Sequence, residues 1–118
     1  MRQIEPIYNN NSGMSFFWKQ EGEVLSEKVQ MVFKETGFYF SVDELNVFLD
    51  LIEDSFNRNG CCAECAMNNR CARFLLKTPC PQIDLAVSIK ELDAIKDLVE
   101  GTLFKIKLEE YIYGVGKN

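Results

Sequence analysis

Two segments of the chain, "SVDELNVFLDLIED" (Ser41 to Asp54) and "SIKELDAIKDLVEG" (Ser88 to Gly101), carry identical residues at Ser41/Ser88, Glu44/Glu91, Leu45/Leu92, Asp50/Asp97, Leu51/Leu98 and Glu53/Glu100. Both open with Ser-x-x-Glu ahead of an apolar run. In that arrangement the serine hydroxyl accepts from a first-turn N–H and the glutamate reaches back to the serine N–H, so each segment predicts the start of a helix. Leu45, Phe48, Leu49, Ile52 and Phe56 fall at helical spacing in the first, and Leu92, Ile95, Val99, Leu103 and Ile106 in the second. Each helix therefore carries one wide apolar face that must be buried.

The cover for those faces is written just upstream of each helix. "KVQMVFK-ETG-FYFSV" precedes the first and "ARFLLK-TPCPQ-IDLAVS" the second, in both cases two β-branched and aromatic stretches around a turn signal. The pattern is an internal repeat of β-hairpin then helix. It predicts an α+β fold in which the two repeats form a mostly antiparallel four- or five-stranded sheet with both helices packed on one face. "SFFWKQ" supplies the fifth strand, at an edge. The second helix runs on through "KIKLEEYIYG" with Gly101 inside it, at a cost of about 1 kcal/mol. Residues 1–13, with "NNNSG", read as a flexible N-terminal segment, and 14–118 as a single domain. Within it, repeat 1 covers about 24–57, a cysteine-rich connection 58–71, and repeat 2 about 72–113. Val47, Leu51 and Leu98 lie off the main apolar stripes, as expected of a helix gripped by a neighbour or of an oligomer contact.

Composition narrows the function classes. A chain of 118 residues suits one compact domain, and a net charge of −5 argues against nucleic acid or an anionic membrane as partner. The start "MRQIEPIYNNNSG" lacks the apolar core of a secretory signal, and no apolar run approaches the ~20 residues of a membrane span, so the expected location is cytoplasmic. The complete absence of histidine removes the usual imidazole general base, and no Gly-rich phosphate loop precedes a helix. Asp43, Asp50 and Asp54 share one side of the first helix, which reads as its solvated polar face. The aromatics of "SFFWK" and "GFYF", with Lys19, Lys28 and Lys34 nearby, form a possible base-stacking surface but read first as core. Phe38 and Phe40 should share one sheet face while Tyr39 takes the other.

The chemistry that remains is concentrated in "CCAECAMNNRC", which puts Cys61, Cys62, Cys65 and Cys71 into one connection. In a reducing cytosol five cysteines suit free thiols or metal ligands better than a disulfide framework. Four thiolates and no imidazole favour zinc or an iron–sulfur cluster over magnesium or calcium. Cys61 and Cys65, or Cys62 and Cys65, share a face of a helical turn. Cys80 is excluded from that set, since a strand rising ~3.3 Å per residue carries the following turn ~20 Å from Cys71. The competing reading is packing, because free cysteine is among the most buried residue types. "CAEC" as a redox pair comes last, since it follows a helix and a loop instead of opening a helix beside a strand. Arg70 and Arg73 read as a solvated strand edge.

Two resemblances accompany these readings. The first three spacings of Cys62-x2-Cys65-x5-Cys71-x8-Cys80 are similar to part of the cluster-binding segment in the SPASM extensions of radical enzymes, over about ten residues. The "KTP" turn, the "LAVSIKEL" junction and "FSVDELNVF" resemble a group of small bacterial proteins known only as a domain of unknown function, over about Glu23 to Tyr113. That resemblance implies the strand-strand-helix architecture and no activity. Its members carry a cysteine pair near the N-terminus, where this chain has "FFWKQEGE".

The leading expectation is thus a non-enzymatic cytosolic module that binds a protein partner or a second copy of itself. A cysteine-cluster metal module follows, with Cys61, Cys62, Cys65 and Cys71 as ligands to zinc or an iron–sulfur cluster, and a thiol redox protein comes third. No catalytic residue is assigned, and no cofactor is expected apart from that metal.

Overall fold

The computed structural model describes residues 3–59 and 73–114. Four strands, β1 (Gln3–Asn10), β2 (Gly13–Gln20), β3 (Glu23–Phe33) and β4 (Thr36–Phe40), are followed by helix α1 (Val42–Asn59). After the connection come β5 (Phe74–Lys77), β6 (Asp84–Val87) and helix α2 (Ile89–Gly114). The fold is α+β.

Both serine–glutamate boxes close as the sequence requires. Ser41 N–H donates to Glu44 Oε1 at 2.9 Å and Glu44 N–H donates to Ser41 Oγ at 3.1 Å. The same pair at the head of α2 measures 2.9 Å from Ser88 N to Glu91 Oε1 and 3.2 Å from Glu91 N to Ser88 Oγ. The hydrogen bond from Ser41 N–H holds the Glu44 carboxyl below the usual carboxylate range.

The strands divide differently from expectation. Instead of one sheet built from two hairpins, β1-β2-β3-β4 form an antiparallel four-stranded sheet and β5-β6 a separate antiparallel pair. β2 pairs along β3, so "SFFWKQ" is an interior strand and not an edge, while β5 and β6 pair only with each other and β4 stays an edge of the large sheet. Residues 1–13, expected to be flexible, contain β1 instead. The "NNSG" stretch is a tight turn, in which Asn10 Oδ1 accepts from Ser12 N–H at 2.9 Å and Gly13 N–H at 3.1 Å. Pro6 is tolerated because β1 is an edge strand, and its register with β2 shifts between Pro6 and Tyr8.

The core joins both sheets to both helices. Phe17, Val29, Met31, Phe33, Phe38 and Phe40 of the large sheet meet Leu45, Phe48 and Ile52 of α1 and Leu92, Ile95, Leu98, Val99 and Leu103 of α2. Leu76 of β5 and Val87 of β6 complete it. Each such side chain contributes about 1.5–3 kcal/mol of hydrophobic burial. Leu98, an off-stripe position in the sequence, is fully buried, whereas Val47 is exposed.

α2 is fixed to the β1-β2 hairpin by polar contacts. Tyr8 O–H lies 2.9 and 3.1 Å from the two carboxylate oxygens of Asp97, and Asn10 Nδ2 donates to Ala94 O at 2.8 Å and to Asp97 Oδ2 at 3.0 Å. Deeper in, the Ser15 and Thr102 hydroxyls stand 2.6 Å apart, with Leu98 O 2.6 Å from Thr102 Oγ1 and Tyr8 O 3.3 Å from Ser15 Oγ. Gly101 sits directly under the Tyr8 ring. A Cβ there would stand 2.5 Å from Cζ and 2.6 Å from Cδ2 of Tyr8, so the glycine that weakens the isolated helix is what lets it approach the strand.

In chemical denaturation, Gly101→Ala is expected to destabilise the parent chain, because the methyl displaces Tyr8 from Asp97. In a Tyr8→Ala background, where helix propensity alone decides, the same change should stabilise by about 1 kcal/mol. A change of the same sign in both backgrounds would contradict this packing. The hydrogen bond to Asp97, then desolvation and the carboxylate charge, raise the Tyr8 phenol above its ordinary range. Its contribution is therefore complete below about pH 10 and lost as pH rises through the raised value. Spectrophotometric titration should show a phenol step above that range that vanishes in Tyr8→Phe and returns toward pH ~10 in Asp97→Ala.

Candidate functional site

Cys61, Cys62, Cys65 and Cys71 lie outside the described residues, as does Arg70. Cys80 sits in the β5-β6 turn, half-buried, with its thiol 3.3 Å from Gln82 Oε1. Among the described residues no group of three or more His, Cys, Asp or Glu side chains is placed to hold a metal ion. Asp54 pairs with Arg58 one turn along α1 at 3.0 Å. Arg73, expected at a solvated edge, is exposed and also bridges β6 and α2, donating to Ala86 O at 3.1 Å and to Glu91 Oε1 at 2.7 Å. The lysines near the aromatic strands are also engaged: Lys19 with Glu5 at 3.0 Å, Lys34 with Glu91, and Lys28 over the Tyr39 ring at 5.5 Å.

The two ends of the cysteine-rich connection are brought back toward each other. α1 packs against β5, and a cleft of about 330 Å³ between them is lined by Leu51, Asp54, Ser55, Arg58 at the end of the helix and Phe74 at the start of the strand. A second, open cleft of about 640 Å³ follows the β1-β2 hairpin from Pro6 to Ser15. It is walled by backbone, asparagine and apolar groups, with no titratable cluster among them.

Two apolar surfaces are uncovered. On the face of the large sheet opposite the helices, Phe16 meets Trp18 edge-on with centroids 4.9 Å apart, and Trp18 Nε1–H donates to Gln30 Oε1 at 3.2 Å. Exposed Ile4, Leu25 and Tyr39 surround this cluster. Tyr39 thus points away from Phe38 and Phe40, which are buried.

The other surface is on α2. Phe104, Leu108, Tyr111 and Ile112 are 62%, 38%, 75% and 56% exposed. At 3.6 residues per turn they fall within about 100° of one another, on the side opposite buried Ile95, Thr102 and Ile106. Beyond Ile106 every position through Ile112 is exposed. The buried inner face ends at Ile106, and the apolar outer stripe begins at Phe104 and runs on to Ile112. Sequence reading found the inner side and passed over the outer one, although "TLFKIKLEEYIY" shows the signal: more apolar residues than a single amphipathic face can use.

No described helix is long and apolar enough to cross a membrane. Comparison with protein-family models, with curated proteins and with solved structures found no match.

Proposed function

We propose that the protein is a non-enzymatic cytosolic interaction module that works by docking a protein partner or a second copy of itself. The observation that carries this reading is the outer stripe of α2, where four large apolar side chains stand together in water on the part of the helix that begins as its buried face ends. Exposed apolar residues scattered singly need no explanation, but a contiguous helical stripe is the form of a helix-docking surface. The two strand-strand-helix units with their matching caps are read as a duplication, of the kind carried by the bacterial group that the sequence resembles. In this reading both helices cover one face of the sheet and the second unit extends that layer. A benzoylphenylalanine photo-crosslinker at position 104, irradiated in the producing cells, should give one dominant adduct of defined mass. The same group at exposed Lys90 should give none. Equal yields at the two positions, or no adduct at 104, would remove the reading.

A second reading is supported by the return of the chain between α1 and β5. Arg58 and Phe74, near the two described ends of the connection, line one cleft, and a thiolate site for zinc or an iron–sulfur cluster would draw its ligands from Cys61, Cys62, Cys65 and Cys71 between them. Protein purified without oxygen should then carry about one metal centre per chain, assayed as zinc, iron and acid-labile sulfide. Cys65→Ser or Cys71→Ser should lose it. A metal-free, well-folded chain overturns this reading.

A further inference from the structure

The order of charges along the outer stripe identifies its occupant. Lys105 and Lys107 precede Glu109 and Glu110, and all four are exposed beside Phe104, Leu108, Tyr111 and Ile112. Lys105 and Glu109 lie on the same flank of the stripe, about 40° apart around the helix axis. A parallel two-fold would bring this flank against the partner's opposite flank, where Lys107 stands, and so set one repulsion with Lys105 against one attraction with Glu109. Turned head to tail, two such helices set Lys105 of each copy against Glu109 of the other. With the two-fold axis between Lys107 and Leu108, Phe104 then meets the Tyr111 end and Leu108 lies close to its own copy.

We infer that the distal half of α2 docks a second copy of this chain in antiparallel, two-fold fashion, through Phe104, Leu108, Tyr111 and Ile112, with Lys105 and Glu109 fixing the direction. The surface is self-complementary in both shape class and charge, as an isologous contact must be. The same four residues flanked by one sign of charge would not pair with themselves. This inference rests on the interaction-module reading and names its partner.

The test is sedimentation equilibrium on the full chain, from micromolar to millimolar concentration, with far-UV circular dichroism as the control for folding. The parent chain should be a concentration-dependent dimer, and Leu108→Asp, at an exposed position, should be a folded monomer over the same range. Lys105→Glu and Glu109→Lys should each weaken the dimer about tenfold, since each turns two attractions into two repulsions. Mixing these two variants should restore parental affinity or better, because the all-acidic flank of one then faces the all-basic flank of the other. A parent chain that is monomeric throughout overturns the inference, as does a dimer indifferent to Leu108→Asp. Charge variants that dimerise like the parent, or whose mixture is no tighter than either alone, overturn the antiparallel arrangement. Monomeric parent protein together with a crosslink from position 104 to a different protein would sink self-pairing and leave the interaction module standing. Failure of the crosslink as well would sink both.

Discussion

The absence of a side chain at position 101 governs how the helical layer meets the strands. α2 has to lie close on the β1-β2 hairpin, because Ser15 and Thr102 are buried there and each hydroxyl needs a partner within hydrogen-bond reach. The two hydroxyl protons have three acceptors in reach; with Thr102 donating to Leu98 O, Ser15 can donate to Thr102 Oγ1 at 2.6 Å, or to Tyr8 O at 3.3 Å. A larger residue at 101 would push against Tyr8 and open that gap. A local loss of helix propensity of about 1 kcal/mol is thereby exchanged for close packing on the strand and a buried hydroxyl pair, whose hydrogen bond contributes about 0.5–1.5 kcal/mol. Gly13 repeats the logic from the sheet side, since a Cβ there would overlap the carbonyl oxygen of Val32.

Glu91 shows how two identical caps come to do different work. Glu44 accepts from Ser41 N–H, whereas Glu91 accepts from Ser88 N–H and Arg73 on Oε1 and from Lys34 on Oε2. Its side chain is only 11% exposed while both cations are about half exposed. Pairs of that kind add little energy. Their effect is positional: Lys34 sits in the β3-β4 turn with φ of 54°, and its N–H is also bound to Ser12 O at 2.8 Å. One carboxylate therefore ties the turn of the first unit to the helix start of the second.

Local rules made the capped helices, the β3-β4 and β5-β6 hairpins and the long second helix legible, because each is specified by residues within a turn or two of one another. What stayed hidden depends on partners distant in the chain. β1 contains Pro6, three asparagines around its end and few β-branched residues, so its strand character comes from the open edge of β2 and not from its own propensity. Gly101 could be seen as a defect, but its reason lies 93 positions away at Tyr8. The cysteine run stood out by composition, whereas the α2 outer stripe, read along the sequence, merges with the inner face that it follows.

That outer stripe has a physical consequence for how α2 is used. Residues from Leu92 to Ile106 have already found their cover in the body of the fold, so the outer stripe adds nothing to the stability of a single chain. Burying one of its large side chains against another protein would contribute about 1.5–3 kcal/mol, against an association cost of about 4–15 kcal/mol. A single such residue could not hold a partner, whereas four on each of two copies act together and can exceed that cost. The flanking lysines and glutamates, worth about 0.2–1 kcal/mol per exposed pair, are too weak to supply the affinity. They can decide between two orientations that bury the same apolar surface, because that choice turns on a difference of only a few such terms. In the proposed pair, affinity would thus belong to Phe104, Leu108, Tyr111 and Ile112, and direction to the charges beside them.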